Sequence, residues 1–248
     1  MVQVVKPRSA SRLHPKDNRL LAALSDADYE ALAPHLEAMA MPLGLAVYES
    51  GRPQGFVVFP TDSVVSLLYV LENGASTETA VTGNEGLVGI SLFMGGETTP
   101  SRAVVQSAGH GYRVRAAVLK KHFESRGDLQ HLLLRFTQAL ITQMTQTAVC
   151  NRHHALDQQL CRWLLLMLDR LSSSELRMTQ ELIANMLGVR REGVTGAAGK
   201  LQAEGLIEYS RGRIVVLDRP RLESRVCECY AVVKREYDRL LAAIAPAS

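Results

Sequence analysis

Residues 178–201 read MTQELIANMLGVRREGVTGAAGKL, and the interpretation of the whole chain depends on this stretch. Thr179 is a helix-capping residue, and the apolar residues that follow it share one helix face: Leu182, Ile183, Met186 and Leu187. Gly188 permits a sharp turn. A second helix beginning near Arg190 or Arg191 buries residues at offsets of zero, three, four and seven: Val194, Ala197, Ala198 and Leu201. Two short helices joined by a glycine turn predict a helix-turn-helix.

The outer side of the second helix carries polar and charged residues: Arg190, Arg191, Glu192, Thr195 and Lys200. An arginine can donate two hydrogen bonds to guanine, and a glutamate can accept one from cytosine. A threonine can bond a phosphate or touch a thymine methyl. The pattern favours a helix that reads base edges in the major groove over the alternative, a helical hairpin used only for packing with solvated charges outside.

A basic hairpin follows the two helices. Residues 204–209, the turn Ser210-Arg211-Gly212-Arg213 and residues 214–217 predict two strands with arginines at the tip. Between Arg177 and Arg225 there are nine Lys and Arg against six Asp and Glu, which matches the whole net charge of +3. We therefore predict a wing that lies against phosphates. The predicted DNA-facing residues are Thr179, Gln180, Arg190, Arg191, Glu192, Thr195, Lys200, Arg211 and Arg213.

The N-terminal half has a different pattern. Residues 1–16 are polar and basic and predict a flexible arm, followed by a short helix at 18–24 and a second that starts at Ser25 and extends to Met39. Short apolar runs separated by turn residues then predict an antiparallel barrel or sandwich, so the fold class is α+β with a β-barrel expected. The predicted strands are 45–48, 56–59, 64–71, 79–81, 103–106 and 111–114.

A long helix is predicted between the two halves, because Asp128 to Cys150 contains neither Gly nor Pro and would extend roughly 34 Å. One stripe of this helix is apolar: Leu129, Leu133, Phe136, Leu140, Met144 and Ala148. The stripe is either a core face or a subunit interface. One small barrel leaves little core for so long a face, so pairing with a second copy is favoured.

The segment Leu176 to Leu222 resembles the winged helix-turn-helix of the Crp/Fnr family of bacterial transcription regulators. It contains T-Q-E-x-I-A-x-x-L-G-V-x-R-E-x-V, then K-L-x-x-x-G-L-I, then G-R-I-x-x-L-D. The resemblance implies a cyclic-nucleotide-binding-like sensor domain at 17–118, a dimerisation helix at 119–150 and the winged domain at 151–248. It also implies a homodimer on palindromic double-stranded DNA, with RNA polymerase as a candidate partner. Arg191 and Glu192 match the base-reading positions, whereas Gly196 departs from the Arg or Ser often found there.

Cyclic nucleotide binding is not expected in the sensor domain. The residues that match the family's effector loop are Gly86, Gly89, Ser91, Ser101 and Arg102. Ile90 occupies the position of the Glu that binds the ribose. The Ser101-Arg102 pair is reversed, and a one-residue shift on a strand turns a side chain to the opposite face. The binding of another small effector, of unknown identity, stays open.

The four cysteines are expected to be reduced thiols, without a metal or other cofactor. None lies before Cys150, so the N-terminal iron–sulfur ligands of the oxygen-sensing relatives are absent. Cys227 and Cys229 form a C-x-C pair without a second pair. A zinc site would require His153 or His154 to come close across the fold.

The remaining sequence signals are negative. No run approaches the ~20 apolar residues of a membrane-spanning helix, and the polar start lacks a secretory signal, so a cytoplasmic location is expected. No catalytic triad, P-loop or dinucleotide fingerprint is present, so no enzyme activity is expected. Two alternatives stay open: a ligand-sensing module acting mainly through a protein partner, and a cyclic-nucleotide-dependent regulator.

Overall fold

The computed structural model describes residues 14–171 and 173–242. Most of the predicted arm, residues 1–13, lies outside the described residues, and Pro15–Asp17 form a 3-10 turn. Helices α1 (Arg19–Ala22) and α2 (Asp26–Leu32) follow, and the side chain of Ser25 caps α2. The prediction that this helix extends to Met39 is wrong. Pro34 has no N–H to continue the α-helical hydrogen bonds, so α2 gives way to a 3-10 turn at Ala33–His35, and the chain enters a strand at Glu37.

Seven strands form two antiparallel sheets, with the orders β1-β7-β3 and β2-β6-β4-β5. The sheets make a jelly-roll-like sandwich rather than the closed barrel that was expected. Its core is apolar, and Val57, Phe59, Val65, Val105 and Val114 are almost completely buried. The strands are β1 (Glu37–Met41), β2 (Ala46–Tyr48), β3 (Phe56–Pro60), β4 (Val64–Val70), β5 (Ser76–Thr82), β6 (Ser101–Ser107) and β7 (Gly109–Arg115).

The segment 119–150 contains parts of two helices, α3 (Ala116–Glu124) and α4 (Asp128–His153). They are separated at 125–127, where Arg126 has a positive φ of 61°. Four of the six residues of the stripe expected to meet a second copy are instead core, because Leu129, Leu133, Phe136 and Leu140 are buried within this single chain. β5 and the C-terminal helix α9 (Glu228–Ala242) both pack against α4. The interface prediction is therefore wrong for these four residues, whereas Met144 is half-buried and Ala148 is exposed.

A different face of α4 is uncovered. Leu134, Ile141 and Val149 are 47%, 45% and 42% exposed. The exposed positions include His131, Leu134, Gln138, Ile141, Thr145 and Ala148, at alternating steps of three and four residues. This spacing is that of one seam of a coiled coil.

The C-terminal part contains a third sheet, of three strands, with the order β8-β10-β9. Its elements are α5 (Leu156–Leu168), β8 (Glu175–Arg177), α6 (Gln180–Leu187), α7 (Arg191–Ala203), β9 (Ile207–Ser210), β10 (Arg213–Val216) and α8 (Arg219–Arg225). α9 returns from this part to α4. Within the described ranges, no helix combines the length and apolarity needed to cross a bilayer.

A buried ion pair joins the sandwich to the turn that follows α5. Glu85, in the loop after β5, lies 2.7 Å from Arg170 Nε, and both side chains are less than a tenth exposed. Arg170 also donates to the carbonyl of Leu166 and to the side chain of Gln143. Because both charges are desolvated, either one would be costly to leave alone.

Candidate nucleic-acid interface

The helix-turn-helix consists of α6 and α7. Thr179 Oγ1 accepts a hydrogen bond from the backbone N–H of Leu182 at 3.2 Å and caps α6. Gly188 ends α6 in the left-handed region, with φ 67°. α7 begins at Arg191 and buries the four predicted residues, Val194, Ala197, Ala198 and Leu201. Both helices and the turn between them thus agree with the sequence prediction.

The helix-turn-helix rests on the sandwich through α6 and its turn. The side chains of Met186 and Gln106 are in contact, with Nε2 of Gln106 3.6 Å from the sulfur of Met186. A Cβ at Gly188 would lie 2.6 Å from Thr77 Oγ1 on β5, so only glycine fits this contact. The outer face of α7 is left exposed, including Arg190 and Arg191.

The wing is a tight hairpin of β9 and β10. Its central residues, Arg211 and Gly212, both have positive φ, 50° and 74°, as a type I′ turn requires. The hydroxyl of Tyr209 donates to the carbonyl of Met178 at 2.9 Å, and the N–H of Met178 donates to the carbonyl of Gly212 at 2.8 Å. These bonds hold the wing tip beside the start of α6.

A cleft of about 470 Å³ lies between the start of α6, the start of α7 and the wing. It brings together four predicted residues, Thr179, Gln180, Arg191 and Arg211. Thr195 is tied to the same place, because its hydroxyl donates to Gln180 Oε1 at 2.7 Å. The other lining residues, which the sequence interpretation missed, are Glu181, Tyr209, Ser210 and Gly212. Arg190, Glu192, Lys200 and Arg213 are exposed outside this cleft.

The cations of this surface differ in their partners. Among the described residues, Arg190, Arg191, Lys200 and Arg211 have no carboxylate within ion-pair distance. Arg213 is paired, because its Nε lies 2.9 Å from Glu175, and this hydrogen bond holds the pKa of Glu175 below its usual range. Four cations are therefore free to meet an anion. Arg213 would first have to share or leave its carboxylate.

The predicted effector-loop residues have separate partners. The Ser91 hydroxyl donates to Gln54 Oε1 at 3.1 Å, and Ser101 Oγ lies 3.1 Å from the Tyr48 hydroxyl. Arg102 Nε is 2.8 Å from Glu49.

The two glycines of the predicted loop are structural. A Cβ at Gly86 would lie 2.3 Å from the Phe136 ring, so this glycine allows α4 to pack closely. Gly89, with φ 113°, precedes the 3-10 turn Ile90–Leu92. The polar side chains Ser91, Ser101 and Arg102 thus each have a partner within the protein.

The structure also brings together three cysteines and a histidine that the sequence analysis did not connect. Side-chain ligand atoms of Cys150, His154, Cys227 and Cys229 all lie within 4.8 Å of one another. His154 is the histidine that approaches, whereas His153 is exposed. The condition that the sequence set for a zinc site, a histidine close to the C-x-C pair, is therefore met by His154. The sequence hint was Cys150 and His154 four residues apart at a helix end, a spacing that places both on one side.

Residues 158–225 match the family model of the Crp-like helix-turn-helix domain. No curated protein matches the chain. Among solved structures, FixK2 from Bradyrhizobium japonicum is 17% identical with a TM-score of 0.67, covering 77% of this chain and 98% of its own.

Two further structures are similar. The c-di-GMP-responsive regulator CLP from Xanthomonas campestris is 18% identical, with a TM-score of 0.62, over 78% of this chain and 100% of its own. TTHA1359 from Thermus thermophilus, a CRP/FNR-family transcriptional regulator, is 20% identical, with a TM-score of 0.61, over 79% of this chain and 98% of its own. The chain thus carries a Crp-like helix-turn-helix domain and has the fold of Crp/Fnr-family transcriptional regulators, as the resemblance predicted.

Proposed function

We propose that this chain, with its Crp-like helix-turn-helix domain, is a sequence-specific transcription regulator that binds palindromic DNA as a homodimer without a cyclic nucleotide. The observation that carries the proposal is the set of unpaired, exposed cations around the α6–α7–wing cleft. Exposed charges that lack protein partners are free to replace the counterions of a phosphate backbone.

In the proposed complex, α7 lies in the major groove and the wing lies along the adjacent backbone. Arg191 and Glu192, in the first turn of α7, reach base edges, where an arginine recognises guanine through two hydrogen bonds. Arg211, at the wing tip, meets phosphate. Gly196 and Gly199 have open space beside them, so the duplex can approach the α7 backbone closely.

The proposed dimer pairs the uncovered face of α4 with the same face of a second copy. Leu134 and Ile141 lie one heptad apart on this face and are each almost half exposed. Burying them against their counterparts removes apolar surface from water. A two-fold axis along α4 presents two copies of α7, and the family geometry sets their spacing at about 34–36 Å, one turn of DNA.

Independence from cyclic nucleotides is supported by the effector loop. Ile90 cannot accept a hydrogen bond from a ribose, and a buried polar group left without its partner costs about 1–3 kcal/mol. Arg102 already has Glu49 as its counterion, and Ser101 is bonded to Tyr48. A cyclic phosphate would have to displace both interactions.

Selection of bound duplexes from a random pool, using the purified full chain, tests the proposal. We expect an enriched inverted repeat with half-site centres about 10 base pairs apart, and equal enrichment with or without cyclic AMP or cyclic GMP. Enrichment only with a cyclic nucleotide would favour a nucleotide-dependent regulator. Failure to enrich any duplex would favour output through a protein partner. Transcription reactions with RNA polymerase on the selected site then distinguish activation from repression.

The dimer is tested separately by light scattering coupled to gel filtration. Ile141→Glu places charges in the proposed interface, so we expect a monomer that binds the palindrome at least tenfold more weakly than the unchanged protein does. Leu43→Glu is the matched control, because Leu43 is 61% exposed and lies in the sandwich, away from α4. A dimeric Ile141→Glu variant would place the subunit interface elsewhere.

A further inference from the structure

The cysteine–histidine cluster lies where three helices meet. Cys150 is in the last turn of α4, and His154 is the C-cap residue that follows this helix, just before α5. Cys227 lies between α8 and α9, and Cys229 is in the first turn of α9. All three cysteines are almost completely buried, and the His154 side chain is 17% exposed. The cluster therefore connects the joint between α4 and the helix-turn-helix domain to the returning C-terminal helix.

The distances within the cluster suit one tetrahedral metal ion. Cys150 Sγ is 3.5 Å from Cys227 Sγ, and Cys229 Sγ is 3.6 Å from His154 Nδ1. Zinc bonds of about 2.3 Å to sulfur and about 2.0–2.1 Å to nitrogen imply tetrahedron edges of roughly 3.4–3.8 Å. The observed separations, up to 4.8 Å, require only small side-chain adjustments to reach this geometry.

The ligand types and their neighbours also point to zinc. Three thiolates and one imidazole form a closed set, which is typical of structural rather than catalytic zinc. The second nitrogen of His154, Nε2, lies 3.4 Å from the Glu228 carboxylate. A metal-binding histidine usually donates its other N–H to such an acceptor, which orients the ring. A group of thiols collected only by packing would have no need of this carboxylate.

Two other uses of the cysteines fit less well. An iron–sulfur cluster contains several metal ions and spreads its protein ligands more widely than one ion does, whereas these four atoms are close together. A disulfide between Cys150 and Cys227 would leave the contact of Cys229 with His154 unexplained. The compact four-ligand arrangement therefore favours a single ion.

We propose that Cys150, His154, Cys227 and Cys229 bind one zinc ion, which fastens the end of α4 to the α8–α9 junction. The ion would restrict movement between α4 and the helix-turn-helix domain, because ligands from both sides of their joint share it. Zinc binding would stabilise the folded chain, since a preformed set of four ligands is lost on unfolding. This proposal does not depend on whether the chain binds DNA.

The zinc content of the full-length chain, purified reduced from zinc-supplemented cells and analysed by elemental mass spectrometry, tests the site. We expect one zinc per chain, and at least a tenfold loss of metal in Cys150→Ser, His154→Asn or Cys229→Ser. Two controls should keep their zinc: His153→Asn, next to a ligand but exposed, and Cys161→Ser, a buried thiol outside the cluster. Equal zinc contents in His153→Asn and His154→Asn would overturn the assignment.

Cobalt titration tests the site without the ligand variants, which could fail to fold. The metal-free wild-type chain should take up one Co²⁺ and develop the absorption bands of tetrahedral thiolate coordination. Glu228→Gln, which leaves the four ligands in place, should weaken cobalt binding by about 10–100-fold. Absence of saturable binding by the wild type would overturn the proposal. So would a Cys150–Cys227 disulfide found by mass spectrometry in freshly purified, unreduced protein.

Discussion

Two arginines of the sandwich and its joint differ in one respect from two arginines of the cleft between α6, α7 and the wing: the first two have carboxylate partners. Arg102 is paired with Glu49, and Arg170 with Glu85. Arg191 and Arg211, by contrast, are exposed without such a partner. A paired arginine contributes to the folded state, whereas an unpaired exposed arginine contributes little to it and can bind an external anion. The two regions should therefore respond to the loss of an arginine in different assays.

The largest effect is expected at the buried pair. Arg170→Ala leaves Glu85 charged and buried without its partner, so the free energy of unfolding should fall by about 3–5 kcal/mol. Denaturation in urea measures this loss. Arg102→Ala is the control, because its ion pair is partly exposed and should contribute only about 0–1 kcal/mol. Similar losses in both variants would remove the distinction between buried and exposed pairs.

The next largest effect concerns DNA affinity. Arg191→Ala should weaken binding to a selected site by about 1–3 kcal/mol and relax discrimination at one base pair, because a bidentate contact with guanine is lost. Its stability should change by less than about 0.5 kcal/mol. Fluorescence anisotropy on the selected site and its single-base variants measures both affinity and discrimination. Equal weakening on every sequence would assign Arg191 to phosphate instead.

Two wing arginines allow a finer comparison of unpaired and paired charge. Arg211→Ala should reduce the slope of log affinity against log salt by about 1.8, because each subunit of the proposed dimer loses one phosphate contact that contributes about 0.9. Arg213→Ala should have a smaller effect than Arg211→Ala, because Arg213 is paired with Glu175 in the free protein. Titrations at several salt concentrations test the order. A larger slope change for Arg213→Ala would show that its ion pair opens on DNA.

The smallest effect is expected at the glycines of α7. Gly196→Ala should raise the free energy of unfolding by about 0.4–1 kcal/mol, because alanine favours a helix and the site has open space. Gly193→Ala should stabilise less, since its Cβ would lie 2.8 Å from Leu156 Cδ2. Thermal unfolding of the free protein compares the two. Destabilisation by Gly196→Ala would mean that the exposed face of α7 is covered.

The helix-turn-helix could be predicted because its local signals agree. Thr179, Gly188 and the spacing from Val194 to Leu201 each determine one feature of a short segment. The predicted length of α2 was wrong for a local reason. The apolar residues Tyr29, Leu32, Leu36 and Met39 keep helical spacing across Pro34, but this proline ends α2.

The other errors concern contacts between distant segments. α4 has two apolar faces, and periodicity could not tell which one β5 and α9 cover. The partners of Arg213 and His154 lie 38 and 74 or more residues away in the chain, at Glu175 and at Glu228 and Cys229. Only the tertiary fold reveals which arginines are free and which cysteines meet a histidine.

The most direct measurement compares two charge-matched double variants on one duplex. Arg191→Ala/Arg211→Ala removes two unpaired cations from the cleft, and Arg102→Ala/Arg113→Ala removes two paired cations from the sandwich. Salt-dependent anisotropy should show a slope reduced by about 1.8 for the cleft variant, because both subunits of the proposed dimer lose the phosphate contact of Arg211, and an unchanged slope for the sandwich variant. Equal slopes for the two variants would contradict the claim that DNA binds at the cleft between α6, α7 and the wing.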